Sequence, residues 1–101
     1  MAVGLVTRFP GVGADKYDAV MSELGLPFGN AGEWPEGIIS HTAGSAPDGV
    51  WIVVDVWESQ EAFDRFFASR LGPALESVGG MPQPEIVPFQ VRNTYRHGRE
   101  A

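Results

Sequence analysis

Between Val50 and Phe67 the hydrophobic pattern changes period once, at Glu58-Ser59. Before that point, Val50 to Trp57 is a β-branched and aromatic run, suited to a pleated and largely buried strand. After it, Phe63, Phe66, Phe67, Arg70, Leu71, Ala74 and Leu75 recur at helical spacing. Ser59 stands where a helix N-cap belongs, and Gln60 and Glu61 occupy the first turn, where an acceptor and negative charge are favoured. A strand that runs directly into an amphipathic helix is half of a β-α-β crossover.

The rest of the chain completes the pattern. Residues 2–9 alternate as a strand, with Val3, Leu5, Thr7 and Phe9 on one side. Pro10-Gly11-Val12-Gly13 is a turn; its two glycines lack the spacing and the Lys-Ser/Thr tail of a phosphate loop. Residues 14–24 predict a helix whose stripe is Tyr17, Val20, Met21 and Leu24, stopped by Gly25. A loop over 26–37 carries Phe28 and Trp34. A second strand follows over 37–43, a turn over 44–49 and the third strand over 50–57. The second helix, 59–78, is expected to be interrupted at Gly72-Pro73, because proline cannot donate to the preceding turn. A fourth strand is read over 85–95, either at an edge or starting late, because Pro88 suits no central strand. Residues 96–101 form a polar tail.

The order β-α-β-β-α-β predicts a single ferredoxin-like α+β domain over 1–101. Right-handed crossovers place both helices on one face of a four-stranded antiparallel sheet, with the third strand between the first and second. The helix-free face is then an association surface, and a homodimer is expected. In the hairpin of the second and third strands, Ile52, Val54 and Val56 form one aliphatic row. A turn centred near Ala46 sets His41 across from Trp51 and Ile39 across from Val53. Ile39, His41, Trp51, Val53, Asp55 and Trp57 then share a mixed face, fit for the wall of a cavity or an interface.

Composition narrows the function. The chain of 101 residues has no cysteine, which excludes disulfides and thiolate chemistry and points to a reducing compartment. Seven basic against 13 acidic residues give a net charge of −6, so neither nucleic acid nor an anionic membrane is an expected partner. Apolar runs are too short to span a bilayer, and the N-terminus reaches Thr7 and Arg8 too soon for a signal peptide, so the expected location is cytoplasmic. No His or acidic cluster has ligand spacing, and no metal or other cofactor is expected.

The element order, the short length and the junction Asp55-Val56-Trp57-Glu58-Ser59-Gln60-Glu61-Ala62-Phe63 together resemble the dimeric α+β barrel proteins. Within them the chain is most similar to the antibiotic biosynthesis monooxygenase-like group, with the stress-responsive A/B barrels as neighbours. That resemblance implies an eight-stranded barrel closed by two sheets, a pocket for aromatic or polyketide-like molecules, and in some members oxidation by O2 without metal or flavin. Departures are visible. Phe66 stands where many relatives carry a histidine, and the helix over 59–78 has neither the tryptophan nor the histidine of haem-degrading relatives. No catalytic set carries over residue by residue.

Candidate chemistry therefore rests on local residues. His41 is one general acid/base candidate, against a half-buried histidine bonded to a carbonyl or water. Asp55 is a second, against a structural salt bridge to Arg8 or Arg92. In the register above the two lie about four positions apart along the sheet, too far at ~3.3 Å per residue to act as a dyad. Trp34, Phe28, Trp51 and Trp57 suit a flat aromatic ligand, and equally a core or an interface. Asn93 and Tyr95, with Arg92, are candidates for ligand contact or for pairing across a dimer. The function expected is a small-molecule pocket protein resembling cofactor-free monooxygenases. Alternatives are a polyketide cyclase-like enzyme, a non-catalytic dimeric binding module, and a structural dimer without ligand.

Overall fold

A computed structural model describes residues 1–26 and 32–95. Four strands, β1 (Val3–Phe9), β2 (Ile38–Ser45), β3 (Trp51–Trp57) and β4 (Glu85–Gln90), form one antiparallel sheet in the order β2-β3-β1-β4. Helix α1 (Ala14–Leu24) joins β1 to β2, and helices α2 (Gln60–Phe66) and α3 (Gly72–Ser77) lie between β3 and β4. This is the ferredoxin-like α+β architecture, with β3 between β1 and β2. Pro88 sits on β4, an edge strand, opposite Leu5. The strand ends at Gln90, short of the 95 read from sequence. Among the described residues no helix is long and apolar enough to cross a membrane.

Local chemistry explains the element ends. Ser59 caps α2, its hydroxyl accepting from the Ala62 N–H at 3.1 Å. Gly25 closes α1 in the left-handed region at φ 73°, with Leu26 N–H returning to Met21 O at 3.0 Å. The expected break at Gly72-Pro73 is instead a π-helical turn, Phe67–Leu71, between α2 and α3. There Gly72 donates to Phe67 O, five residues back, and the Ser69 hydroxyl bonds Arg65 O at 2.7 Å. The extra residue lets helical structure pass Pro73 without asking it for a hydrogen bond.

The β2–β3 hairpin departs from the expected pairing. Ala46 N–H bonds Val50 O and Gly49 N–H bonds Ala46 O, both at 2.9 Å, and Gly49 takes φ 87°. Pro47-Asp48-Gly49 therefore centres the turn on Asp48, with the Asp48 carboxylate accepting from Val50 N–H at 3.0 Å. His41 pairs with Asp55, not Trp51, and Ala43, not Ile39, pairs with Val53. The displacement is even in residues, so the faces stay as read. A bulge between Ile38 and Ser40 makes one exception: Ile38, not Ile39, shares the row of Trp57.

Packing centres on Leu5, Trp57 and Ala62, with Val3, Ile38, Phe63 and Phe66 around them. Trp57 is fully buried and meets Phe63 edge-on at 5.5 Å. Gly37 receives Glu58 N–H on its carbonyl at 2.8 Å, which brings the start of β2 against α2. It holds φ 94°, and a β-carbon there would stand 2.6 Å from the Ala62 β-carbon. Gly37→Ala is therefore expected to destabilise the domain by about 1–3 kcal/mol, from backbone strain and overpacking together. Gly44→Ala, where a β-carbon meets nothing within 4 Å, serves as the control, and urea unfolding midpoints make the comparison.

Candidate active site

The mixed sheet face looks toward the helices, and the two do not close on each other. Between them lies a cavity of about 800 Å³, walled mostly by apolar side chains from β1, β3, α1 and the helical run from α2 to α3. Its size and character fit a small-molecule site. Its polar groups include Thr7, Tyr17, His41, Asp55, Glu76 and Gln83.

Three of these form a hydrogen-bonded chain. His41 Nδ1 stands 2.6 Å from Asp55 Oδ1, and His41 Nε2 stands 2.5 Å from the Tyr17 hydroxyl. The expectation that His41 and Asp55 are too far apart to form a dyad is therefore overturned. The turn at Asp48 makes them direct cross-strand partners on one face. Asp55 does not bond Arg8 or Arg92 as proposed for a structural bridge. Arg8 projects from the opposite face of the sheet and reaches Asp48 and Glu85, each at 3.3 Å, while Arg92 is exposed beyond β4.

A neutral His41 donates Nδ1–H to the Asp55 carboxylate and accepts the Tyr17 O–H at Nε2. An imidazolium donates from both nitrogens, so the same geometry holds either state. The Tyr17 and His41 rings lie within 8° of parallel at a 6.0 Å centroid distance, the arrangement of an in-plane O–H···N bond. His41 and Asp55 side chains are only 16% and 15% exposed, so their bond is screened weakly by solvent. Burial, then the Asp55 charge, then Asp18 push the Tyr17 hydroxyl up to about 12.

Aromatic rings hold this chain in place. Trp34 packs 5.2 Å from His41, and Trp51 packs 5.2 Å from Tyr17. Arg70, on the π-helical turn, secures the Trp34 side. Its guanidinium donates to Glu33 O at 3.3 Å and to Leu24 O, at the end of α1, at 2.9 Å, while lying 5.6 Å from the Phe66 ring centre. Buried indole N–H groups of Trp51 and Trp57 have no hydrogen-bond partner, a cost of about 1–3 kcal/mol each. Among the described residues no three His, Asp or Glu side chains converge as a metal site.

Of the residues singled out from sequence, His41, Asp55, Trp34 and Trp51 meet at the cavity. Trp57 also lines the cavity wall, while its ring is fully buried in the core beside Leu5 and Ala62. Phe28 lies outside the described residues. Asn93 and Tyr95 are not at the cavity: β4 ends before them, both are exposed, and Tyr95 is 80% exposed. Sequence reasoning misses Tyr17 as a site residue because it reads as one more member of the α1 apolar stripe. Its phenol is the one polar tip on that stripe, and this is the available signal.

No protein-family model matches the chain, and no curated protein does so at a significant level. Solved structures do. SnoaB, a cofactor-independent oxygenase from Streptomyces nogalater, is 21% identical, with 95% of this chain and 98% of that one covered at a TM-score of 0.66. A monooxygenase from the gene ActVA-Orf6 of Streptomyces coelicolor, in complex with nanaomycin D, is 25% identical over 95% and 92% of the two chains at 0.59. Rv0793 from Mycobacterium tuberculosis is 14% identical over 95% and 100% at 0.68. The chain has the α+β fold of the antibiotic biosynthesis monooxygenase-like proteins.

The raised Tyr17 hydroxyl couples to stability. Above its ordinary value of 10 the unfolded chain releases this proton, while the folded chain keeps it until about 12. The native state then binds more protons, so stability falls as pH rises through that window. Denaturant unfolding at stepped pH is expected to show this fall between 10 and 12, and Tyr17→Phe is expected to remove it.

Proposed function

We propose that the chain binds a flat, hydroxyl-bearing aromatic molecule in the cavity and activates it by removing a proton. The observation that carries this reading is the Tyr17–His41–Asp55 chain on the wall of an otherwise apolar cavity. His41 is the proton store and Asp55 fixes its tautomer and offsets its charge. The apolar walls strengthen that electrostatic pairing by lowering the local dielectric.

The reaction we infer is oxygenation of an electron-rich phenol or enol by O2, the substrate supplying the electrons. Deprotonation gives a carbanion, which bonds O2 to form a peroxide. Where the reacting carbon is a ring methylene, loss of water from the peroxide leaves a ketone. One methylene and one dioxygen molecule thus give one carbonyl group and one water, with every atom accounted for. The activities named for SnoaB and the ActVA-Orf6 protein, and the nanaomycin D bound to the latter, support this class by likeness of fold.

We also propose that two copies pair through the helix-free sheet face. Val54, Ile52 and Val56 on β3 and Val6 on β1 lie there beside Val87 and Phe89 on β4, which are 56% and 44% exposed. An apolar face of this composition favours a second copy over water.

Three measurements check these readings. Tryptophan fluorescence is expected to be quenched saturably by hydroxylated tricyclic aromatics, because Trp34 and Trp51 wall the cavity. O2 consumption with an anthrone-type substrate is expected to fall about 10²-fold or more in His41→Gln. Quenching without O2 consumption would leave a binding module; no quenching would end the pocket reading. Sedimentation at micromolar protein is expected to give a dimer, and a single-subunit species overturns the pairing.

A further inference from the structure

His41 has no free nitrogen. Nδ1 is held by Asp55 at 2.6 Å and Nε2 by the Tyr17 hydroxyl at 2.5 Å. A base whose Nδ1–H is given to a carboxylate and whose Nε2 lone pair already accepts the Tyr17 O–H cannot take a proton from a guest directly. The phenolic oxygen of Tyr17 ends the hydrogen-bonded chain, on a residue that lines the cavity. While donating to Nε2, that oxygen keeps acceptor capacity for a second hydroxyl.

Resting on the proton-abstraction reading above, we propose that Tyr17 is the catalytic residue that touches the substrate hydroxyl and relays its proton to His41. The substrate O–H bond breaks as a new O–H bond forms on Tyr17. In the same step the proton that Tyr17 carried passes to His41 Nε2. The products are a substrate oxyanion, a neutral phenol and an imidazolium beside the Asp55 carboxylate. No electron moves, and charge is conserved. The oxyanion then accepts a hydrogen bond from the Tyr17 O–H, which accepts one from His41.

The surroundings favour a relay over a standing phenolate. Tyr17 faces Asp55 on β3 and His41 on β2, and Asp18 lies next to it on α1, so two carboxylates oppose a negative charge on its oxygen. Trp51 at 5.2 Å from Tyr17 and Trp34 at 5.2 Å from His41 restrict both rings to this alignment. His41 and Asp55 are accordingly proton-storing and positioning residues, one and two links removed from the residue that meets the guest.

A coloured phenol tests this without turnover. 4-Nitro-1-naphthol changes absorbance on ionisation, so its apparent pKa can be read while bound. In Tyr17→Phe the probe is expected to bind, with its bound pKa raised by about one unit or more, because the oxyanion loses its donor. A bound pKa that stays the same or falls means the guest meets His41 directly and overturns the relay. Failure of the unaltered protein to bind the probe defeats the proposed function and the relay with it. Should Tyr17→Phe not fold, 3-fluorotyrosine in a Tyr95→Phe background keeps the ring in place. Its more acidic hydroxyl is expected to lower the bound pKa, and an unchanged value overturns the relay.

Discussion

Everything at the cavity depends on one register. Pro47-Asp48-Gly49 closes the β2–β3 hairpin around Asp48, and that closure sets His41 opposite Asp55. A carboxylate on the inner face of a sheet must be paired or it carries a desolvation cost of several kcal/mol. His41 supplies the pairing at 2.6 Å, and its second nitrogen then engages Tyr17 from the facing helix. A different turn would leave Asp55 opposite another side chain, and no hydrogen-bonded path would cross from sheet to helix.

The layer around this path is shaped to stay apart. A small solid centre, Leu5 with Trp57 and Ala62, fixes the strand-to-helix junction at one end of the sheet. Beyond it, sheet and helices diverge around about 800 Å³. The π-helical turn carries the second helical run past Pro73 and presents Phe67 and Leu71 to the cavity. Arg70, on that same turn, bonds the carbonyls of Leu24 and Glu33. Helix irregularity and cavity wall are thus one feature, as is common where a helix is asked to do more than pack.

Strand parity separates two kinds of surface. Odd-numbered positions of β1 and β3 carry the cavity wall, from Leu5 and Thr7 to Trp51 and Asp55. Even-numbered ones carry Val6, Ile52, Val54 and Val56, together with the ion pairs of Arg8. The cavity wall and the helix-free face can therefore change independently, since neighbouring residues in a strand face opposite sides.

The periodicity of the chain alone determined the element order, the sheet order, the edge position of β4 and, Ile39 apart, the residues that share the mixed face of the β2–β3 hairpin. Those features follow from local spacing, caps and the handedness of crossovers, all of which are written in consecutive residues. Periodicity does not place the turn on Asp48, although Pro-Asp-Gly is there to signal it, and so it does not reach the His41–Asp55 pair. It makes Tyr17 a core residue and Asn93 and Tyr95 site residues. Only tertiary structure decided these points. A hydrogen bond between α1 and β2 depends on how far two layers stand apart, and that distance is set by the summed volumes of side chains distant in sequence.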